Sequence, residues 1–281
     1  MSNRRRSFKE LLDGSLSEDE IETIHSSFDV IGDIAIIKIP KDLLNRKEEI
    51  SKALHLFLPK IRVIAMVSGE TDDLFRVRGL EVLYGDGDTE TVHREWGCSF
   101  KLDVKNVFFS PRLSYERHRI AEMVQPEETI INMFSGVGTY SIIIAKRCPG
   151  VKIYSIEINP HAYSYMAENI KLNNLEGSVI PIFGNAKEKI LRDNAIDSAD
   201  RVIMPLPDYA YKFLDVAISS LKSGGALHYY DVAYELPDDE SLSRLYSEAD
   251  RQGRRAEIKS QRILRSVGPR KYHIVIDAEV F

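Results

Sequence analysis

The stretch TIINMFSGVGTYSIIIAKRCPGVKIYSIEINP, Thr129 to Pro160, constrains the fold of this chain more than any other. Thr129 to Met133 has the apolar, β-branched character of a buried strand. It runs into the turn Phe134-Ser135-Gly136-Val137-Gly138 and then an apolar helical run, Tyr140 to Arg147. A second strand, Val151 to Ile156, ends at Glu157. That is about twenty residues past the glycines, where a carboxylate reaches a ribose hydroxyl. The glycines let the backbone approach a ligand closely, and the start of the helix offers free N–H donors. The pattern predicts a nucleoside pocket.

A dinucleotide pocket calls for G-x-G-x-x-G, but Gly136 and Gly138 are followed by Tyr140 and Ser141 with no third glycine, which disfavours a pyrophosphate cradle. The short form F-S-G-V-G followed by E-I-N-P resembles the first motifs of S-adenosylmethionine-dependent methyltransferases. The resemblance implies a loop of Phe134, Ser135, Gly136 and Gly138 around the methionine part of S-adenosyl-L-methionine, with Glu157 and Ile158 at its ribose. The plainer alternative is a β-α-β turn whose glycines only permit tight packing. Loop, acid and spacing occurring together weigh against it.

The rest of the second half alternates. Strands are expected at 129–133, 151–156, 178–183, 200–204 and 224–231, with helices at 139–147, 160–173, 186–192 and 208–221 between them. Such alternation predicts an α/β, Rossmann-like domain with a parallel sheet covered on both faces and its ligands at the carboxyl ends of the strands. A helix at 238–254 and a strand from Tyr272 to Val280 close it. Upstream, residues 1–20 read as a mobile arm or short helix, and residues 21–110 as a small α+β domain. That domain has a hairpin or bent strand around Gly32-Asp33, a helix from Asp42 to Phe57, and strands at Ile61–Ser68, Leu74–Tyr84, Thr91–Glu95 and Cys98–Val104. Residues 111–281 form the second domain, opened by a helix that Ser114 is placed to cap.

Net charge excludes one class of function. At −5 over 281 residues the chain is no polycation, so any RNA site must be a local basic patch. No run of eighteen apolar residues suits a membrane, and MSNRRRSF leads into polar sequence. A cytoplasmic monomer with no membrane partner is expected. Cys98 and Cys148 lack metal-type spacing and read as structural thiols, with no metal site.

Polar residues gather at three expected strand ends. After the second come Glu157, Ile158, Asn159 and Pro160. After the third come Asn185 and Ala186, where this fold class usually meets the adenine amino group; a turn residue is the lesser alternative for Asn185. After the fourth, Met204-Pro205-Leu206-Pro207 makes a stiff loop offering the Met204 carbonyl. Arg76 and Arg78 are expected on one face of a strand, and Arg94 on the next. In SPRLSYERHR, Arg112 and Glu116 lie one turn apart and Arg119 one further turn along, with Arg117 directly after Glu116. Glu116 reads either as a solvated ion pair or as a catalytic carboxylate.

The blocks RVRGLEVLYG, TVHREWG, FFSPRLSYER, MFSGVG and IEINP, in this order and spacing, resemble the archaeal and eukaryotic tRNA guanine-37 N1-methyltransferase family from about residue 25 to the end. The resemblance implies an enzyme that binds the tRNA anticodon loop and methylates guanine N1. Glu116 matches the family's proposed base, and Arg78 the arginine that stabilises charge on the guanine oxygen. Arg112 matches a neighbouring arginine that helps hold the loop and tRNA, placed with the donor-binding set. Arg76, Arg94, Arg117, Pro205 and Pro207 fall on the substrate side. One departure is that the family's N-x-P is here Pro205-Leu206-Pro207, similar to the archaeal branch that also methylates a wyosine precursor. The aminocarboxypropyl transferases of wybutosine synthesis share fold and cofactor and are the alternative.

Overall fold

The computed structural model describes residues 6–24, 27–71, 75–192, 198–234 and 239–281. Its contacts divide the chain into Met1–Glu95 with Ser99–Arg112, and Trp96–Cys98 with Leu113–Phe281.

The first unit opens with a 3-10 turn, Lys9–Leu11, and a helix α1, Glu18–Thr23, closed at its start by a capping box. Ser17 Oγ accepts the Glu20 N–H while the Glu20 carboxylate accepts the Ser17 N–H. Phe8, Leu12 and Leu16 are buried in this unit's core. Where an arm or a short helix was expected over residues 1–20, the described part holds the 3-10 turn Lys9–Leu11 and the start of α1. Arg4 and Arg5 lie outside the described residues.

Strands β1 (Phe28–Ile31) and β2 (Ile34–Ile37) make the hairpin around Gly32-Asp33. A 3-10 turn, Lys41–Arg46, precedes α2, Lys47–Phe57, so the single expected helix is two pieces. Strands β3 (Val63–Thr71) and β4 (Arg78–Tyr84) complete a sheet ordered β1-β2-β3-β4, with β2 and β3 parallel across the α2 crossover. Ile50 and Leu54 of α2 share the core with Ile37 and Ile64 of the sheet. Strands β5 (Glu90–Glu95) and β6 (Cys98–Asp103) pair separately. Arg76 is not on a strand: β4 begins at Arg78, and Arg76 has a φ of 60° in the turn before it. The Leu74 start expected for this strand lies outside the described residues.

In the second unit α3 (Ser114–Met123) is followed by β7 (Thr129–Asn132), α4 (Thr139–Arg147), β8 (Lys152–Glu157), α5 (Pro160–Leu172), β9 (Val179–Phe183), α6 (Ala186–Arg192) and β10 (Ala199–Met204). A 3-10 turn at Ala210–Phe213 leads into α7 (Leu214–Ser220), then β11 (Leu221–Ala233), α8 (Asp239–Arg251), β12 (Ala256–Gly268) and β13 (Lys271–Val280). The sheet runs β12-β13-β11-β10-β7-β8-β9. Its five strands from β11 to β9 are parallel as expected, but β13 is antiparallel to β11, and β12 was not expected at all. β12 is an edge strand carrying Lys259, Arg262 and Arg265, and charges of this kind both protect an edge and hide its strand pattern. Residue 238, where the expected helix begins, lies outside the described residues.

Ser114 does not cap α3. It is the first helical residue, and its Oγ accepts the Trp96 indole N–H at 2.9 Å. Residues of α6, α7 and α8 form one core with Ile131, Val202, Leu227 and Ile276 of the sheet. No helix among the described residues is long and apolar enough to cross a membrane. Cys98 and Cys148 are both buried and form no disulfide.

Candidate active site

β7 lies between β8 and β10, so the connections leaving its two neighbours diverge at its carboxyl end, where open α/β sheets bind ligands. The turn from β7 into α4 holds Gly136 at φ 54° and Gly138 at φ 90°, conformations that favour glycine. The Ser135 N–H donates to the Ile156 carbonyl at 2.9 Å, Ser135 Oγ to the Asn132 carbonyl at 3.1 Å, and the Gly138 N–H to the Ser135 carbonyl at 2.9 Å.

Glu157 fastens this turn to the end of β8. Its Oε2 accepts the Gly136 N–H and its Oε1 the Asn159 N–H, each at 2.7 Å. A carboxylate has about four acceptor sites, so both oxygens retain capacity for ribose hydroxyls. Burial pushes the Glu157 carboxyl up, against the pull of the Asn159, Gly136 and Ile158 N–H groups. A Cβ built on Gly136 would have no heavy atom within 4 Å, whereas one on Gly138 would meet Ile142 and Met166 at 3.0 and 3.1 Å. The open backbone at Gly136 beside a ribose-type acid fits S-adenosylmethionine.

The other strand ends are more occupied than expected. Asn185 Oδ1 accepts the Lys187 N–H at 2.9 Å, which makes Asn185 a turn residue at the start of α6, followed by the buried Ala186. The Met204 carbonyl already accepts the Leu206 N–H at 2.8 Å, and the Met204 side chain is fully buried. Pro205 and Pro207 are half-buried on either side of that turn. Phe134 packs edge-on against Phe213, ring centroids 5.0 Å apart, and Ile158 is half-buried next to Glu157.

Glu116 is 5% exposed, so the solvated ion pair is excluded. Its Oε1 accepts the Tyr230 hydroxyl and Arg119 Nη2, both at 2.7 Å, and its Oε2 accepts Arg119 Nε at 2.8 Å. Arg119 also donates to both oxygens of Asp277, at 2.7 and 3.2 Å. Asp277 in turn accepts from His228 Nδ1 at 2.6 Å and Ser260 Oγ at 2.7 Å. His228 Nε2 faces Arg201 Nη1 at 2.7 Å, and Arg201 pairs with Glu128 at 2.8 and 2.9 Å. A guanidinium only donates, so Nε2 accepts, Nδ1–H is the donor to Asp277, and the ring is neutral.

The local electrostatics agree with this wiring. Burial pushes His228 down, and the Arg201 and Arg119 charges push the same way, against the opposing pull of Asp277. Burial works to raise the Asp277 carboxyl, but the bonds from His228, Arg119 and Ser260 hold it well below the usual carboxylate range. Burial opposes the Arg119 charge, and Glu116 and Asp277 more than offset it. Sequence reasoning missed Tyr230, His228, Asp277, Arg201 and Glu128; the one available signal was His228 and Tyr230 two apart on a strand, hence on one face.

Arg117 is 2% exposed, on the buried face of α3. Glu116, Arg117, Ile120 and Ala121 are all buried, so the packed face of α3 is wider than the charge pattern suggests. In the first unit, Arg112 Nε pairs with Asp29 at 2.6 Å. Arg76 and Arg78, though not on one strand face, line a common cavity there with Asp29, Ile31, Phe108 and Phe109. Arg94 is exposed on β5.

The TRM5/TYW2 methyltransferase domain matches residues 91–258, and the TYW2 N-terminal domain residues 8–89. The chain is 38% identical to the tRNA (guanine(37)-N(1))-methyltransferase Trm5b of Pyrococcus abyssi, over 100% of this chain and 82% of that protein. The crystal structure of wild-type Trm5b from Pyrococcus abyssi superposes over the same shares with a TM-score of 0.89. Identity is 37% to the tRNA 4-demethylwyosine(37)-methyltransferase Taw21 of Saccharolobus solfataricus, over 91% of this chain and 94% of that one. It is 36% to the tRNA(Phe) (4-demethylwyosine(37)-C(7)) aminocarboxypropyltransferase of Methanocaldococcus jannaschii, over 89% and 96%. The structure of TYW2 from M. jannaschii in complex with AdoMet is 32% identical, covers 90% of this chain and 99% of that one, and superposes with a TM-score of 0.70.

Proposed function

Because the chain belongs to the TRM5/TYW2 methyltransferase family, we propose that it methylates N1 of guanosine 37 in tRNA from S-adenosylmethionine, with the tricyclic wyosine intermediate as a further substrate. One observation carries the reading: Glu157 bonded to the Gly136 N–H beside an open backbone, at the point where the sheet's strand order reverses. When bound, S-adenosylmethionine supplies an electrophilic methyl on a sulfonium.

The chain's residues do the rest. Glu157 and Ile158 take the ribose, and Phe134, Ser135, Gly136 and Gly138 the methionine portion. Asn185, Ala186 and Met204 form the adenine side. Glu116 takes the N1 proton as general base. Its Oε1 already has two donors and Oε2 one, so Oε2 has the spare acceptor site. Arg78 stabilises the charge that develops on the guanine oxygen. Arg76 and Arg94 serve the RNA, Pro205 and Pro207 wall the base, and buried Arg117 leaves the substrate set. The target base leaves the anticodon stack to be reached. The division into a residue 21–110 RNA-positioning domain and a 111–281 catalytic domain, the monomeric state and a cytoplasmic location belong to the same proposal.

Aminocarboxypropyl transfer is the second reading. It is favoured by the TYW2 N-terminal domain over residues 8–89. Nucleoside mass analysis of unmodified tRNA and of tRNA carrying 4-demethylwyosine at position 37, each incubated with protein and donor, decides. A methylated guanosine supports the main reading, and an aminocarboxypropyl adduct replaces it with the second.

A further inference from the structure

The observations around Glu116 carry one step further, resting on the reading of Glu116 as the base. We propose that Tyr230 is a positioning residue for the reaction: its hydroxyl and Arg119 Nη2 saturate Oε1 of Glu116, so that Oε2 is the oxygen turned to the substrate proton.

His228 and Tyr230 are two residues apart on β11 and so point to one face of the sheet. Tyr230 reaches Glu116 directly, while His228 reaches it through Asp277 and Arg119. The carboxylate is thereby held from two directions. The Tyr230 ring is itself locked, with the Tyr140 ring edge-on at 6.1 Å and 72°. Burial, followed by Tyr140 and Glu116, pushes the Tyr230 phenol well up, so it remains a donor at working pH.

An unrestrained glutamate side chain has rotamer freedom to lose on binding. Here that loss occurs on folding, before substrate binds. The Arg119 fork alone leaves the carboxylate tethered on one side. Removing the phenol lets it tilt, and a displacement of about 1 Å at a reacting group costs about 100-fold in rate.

The test is Tyr230→Phe, which keeps the ring and its packing. The single-turnover methylation rate is expected to fall about 10- to 100-fold, with dissociation constants for S-adenosylmethionine and tRNA unchanged. In the double variant Tyr230→Phe/Glu116→Gln the rate is expected to match that of Glu116→Gln alone, because the phenol acts only through the carboxylate. Arg119→Lys, which keeps a cation opposite Asp277 but loses the fork, is the second variant and slows by the same route. A wild-type rate in Tyr230→Phe beside a slow Glu116→Gln overturns the positioning role alone. So does a Tyr230→Phe loss that adds in full to that of Glu116→Gln. A wild-type rate in Glu116→Gln removes the base reading itself, and this role with it.

Discussion

Replacing each glycine of the first turn by alanine separates binding from folding. At Gly136, φ is 54° and the added Cβ has no heavy atom within 4 Å. The stability cost is then only that of a left-handed alanine, about 1–2 kcal/mol. The new methyl projects from the open backbone that the donor is proposed to approach, and a tenfold loss of affinity is about 1.4 kcal/mol. At Gly138, φ is 90° and the Cβ meets Ile142 and Met166 at 3.0 and 3.1 Å, both fully buried side chains. To the backbone strain is added overpacking of about 1–3 kcal/mol, for a total of about 2–5 kcal/mol. Urea unfolding measures the first quantity and calorimetric titration with S-adenosylmethionine the second. Gly136→Ala is expected to be the more stable variant and at least tenfold weaker in donor binding. Donor affinity in Gly136→Ala within twofold of wild type would refute the assignment of this turn, and equal stabilities would refute the packing argument.

Glu116→Gln is expected to abolish most single-turnover methylation while tRNA affinity stays close to wild type, as measured by rapid quench and filter binding. Acid sensitivity follows from His228. Its folded pKa lies below the ordinary value of about 6.5, so its contribution is complete above that pH and is lost as pH falls toward the folded value. The urea midpoint is expected to drop on acidification from about pH 7 to pH 5, and the drop to flatten in His228→Gln. Asp277, held below about 3.9, keeps its contribution through that window and loses it only in stronger acid. Glu157 has the opposite sign: raised by burial, it favours folding below about 4.3 and loses that share as pH rises through its folded value. Its contribution to the urea midpoint is expected to vanish in Glu157→Gln.

What the sequence showed plainly was periodic. Thr129–Asn132, Thr139–Arg147 and Lys152–Glu157 are buried strand and helix runs whose apolar spacing survives any reading, and the Gly136 to Glu157 interval followed from them. The strands and helices that stayed hidden gave no such pattern. β12 is polar because it is an edge, and the lead-in residues Phe8, Leu12 and Leu16 are scattered among charges. Arg76 left its expected strand because a turn set its φ at 60°, which no alternation reports. The network around Glu116 was invisible for a different reason. Tyr230 is 114 residues from Glu116 and Asp277 158 from Arg119, so only the assembled sheet brings them together. A wide buried face on α3 then took Arg117 inward along with Glu116. Residue types at the site could be matched to a family in advance, whereas the partners that orient them depend on which strands become neighbours.

The most direct measurement is a structure of the protein bound to S-adenosylmethionine. The donor is expected over the Phe134–Gly138 turn, with its ribose hydroxyls on Glu157 and its methyl in the reach of a base presented to Glu116 Oε2. A donor bound elsewhere, with the turn bare and Glu157 making only its bonds to Gly136 and Asn159, would contradict the account.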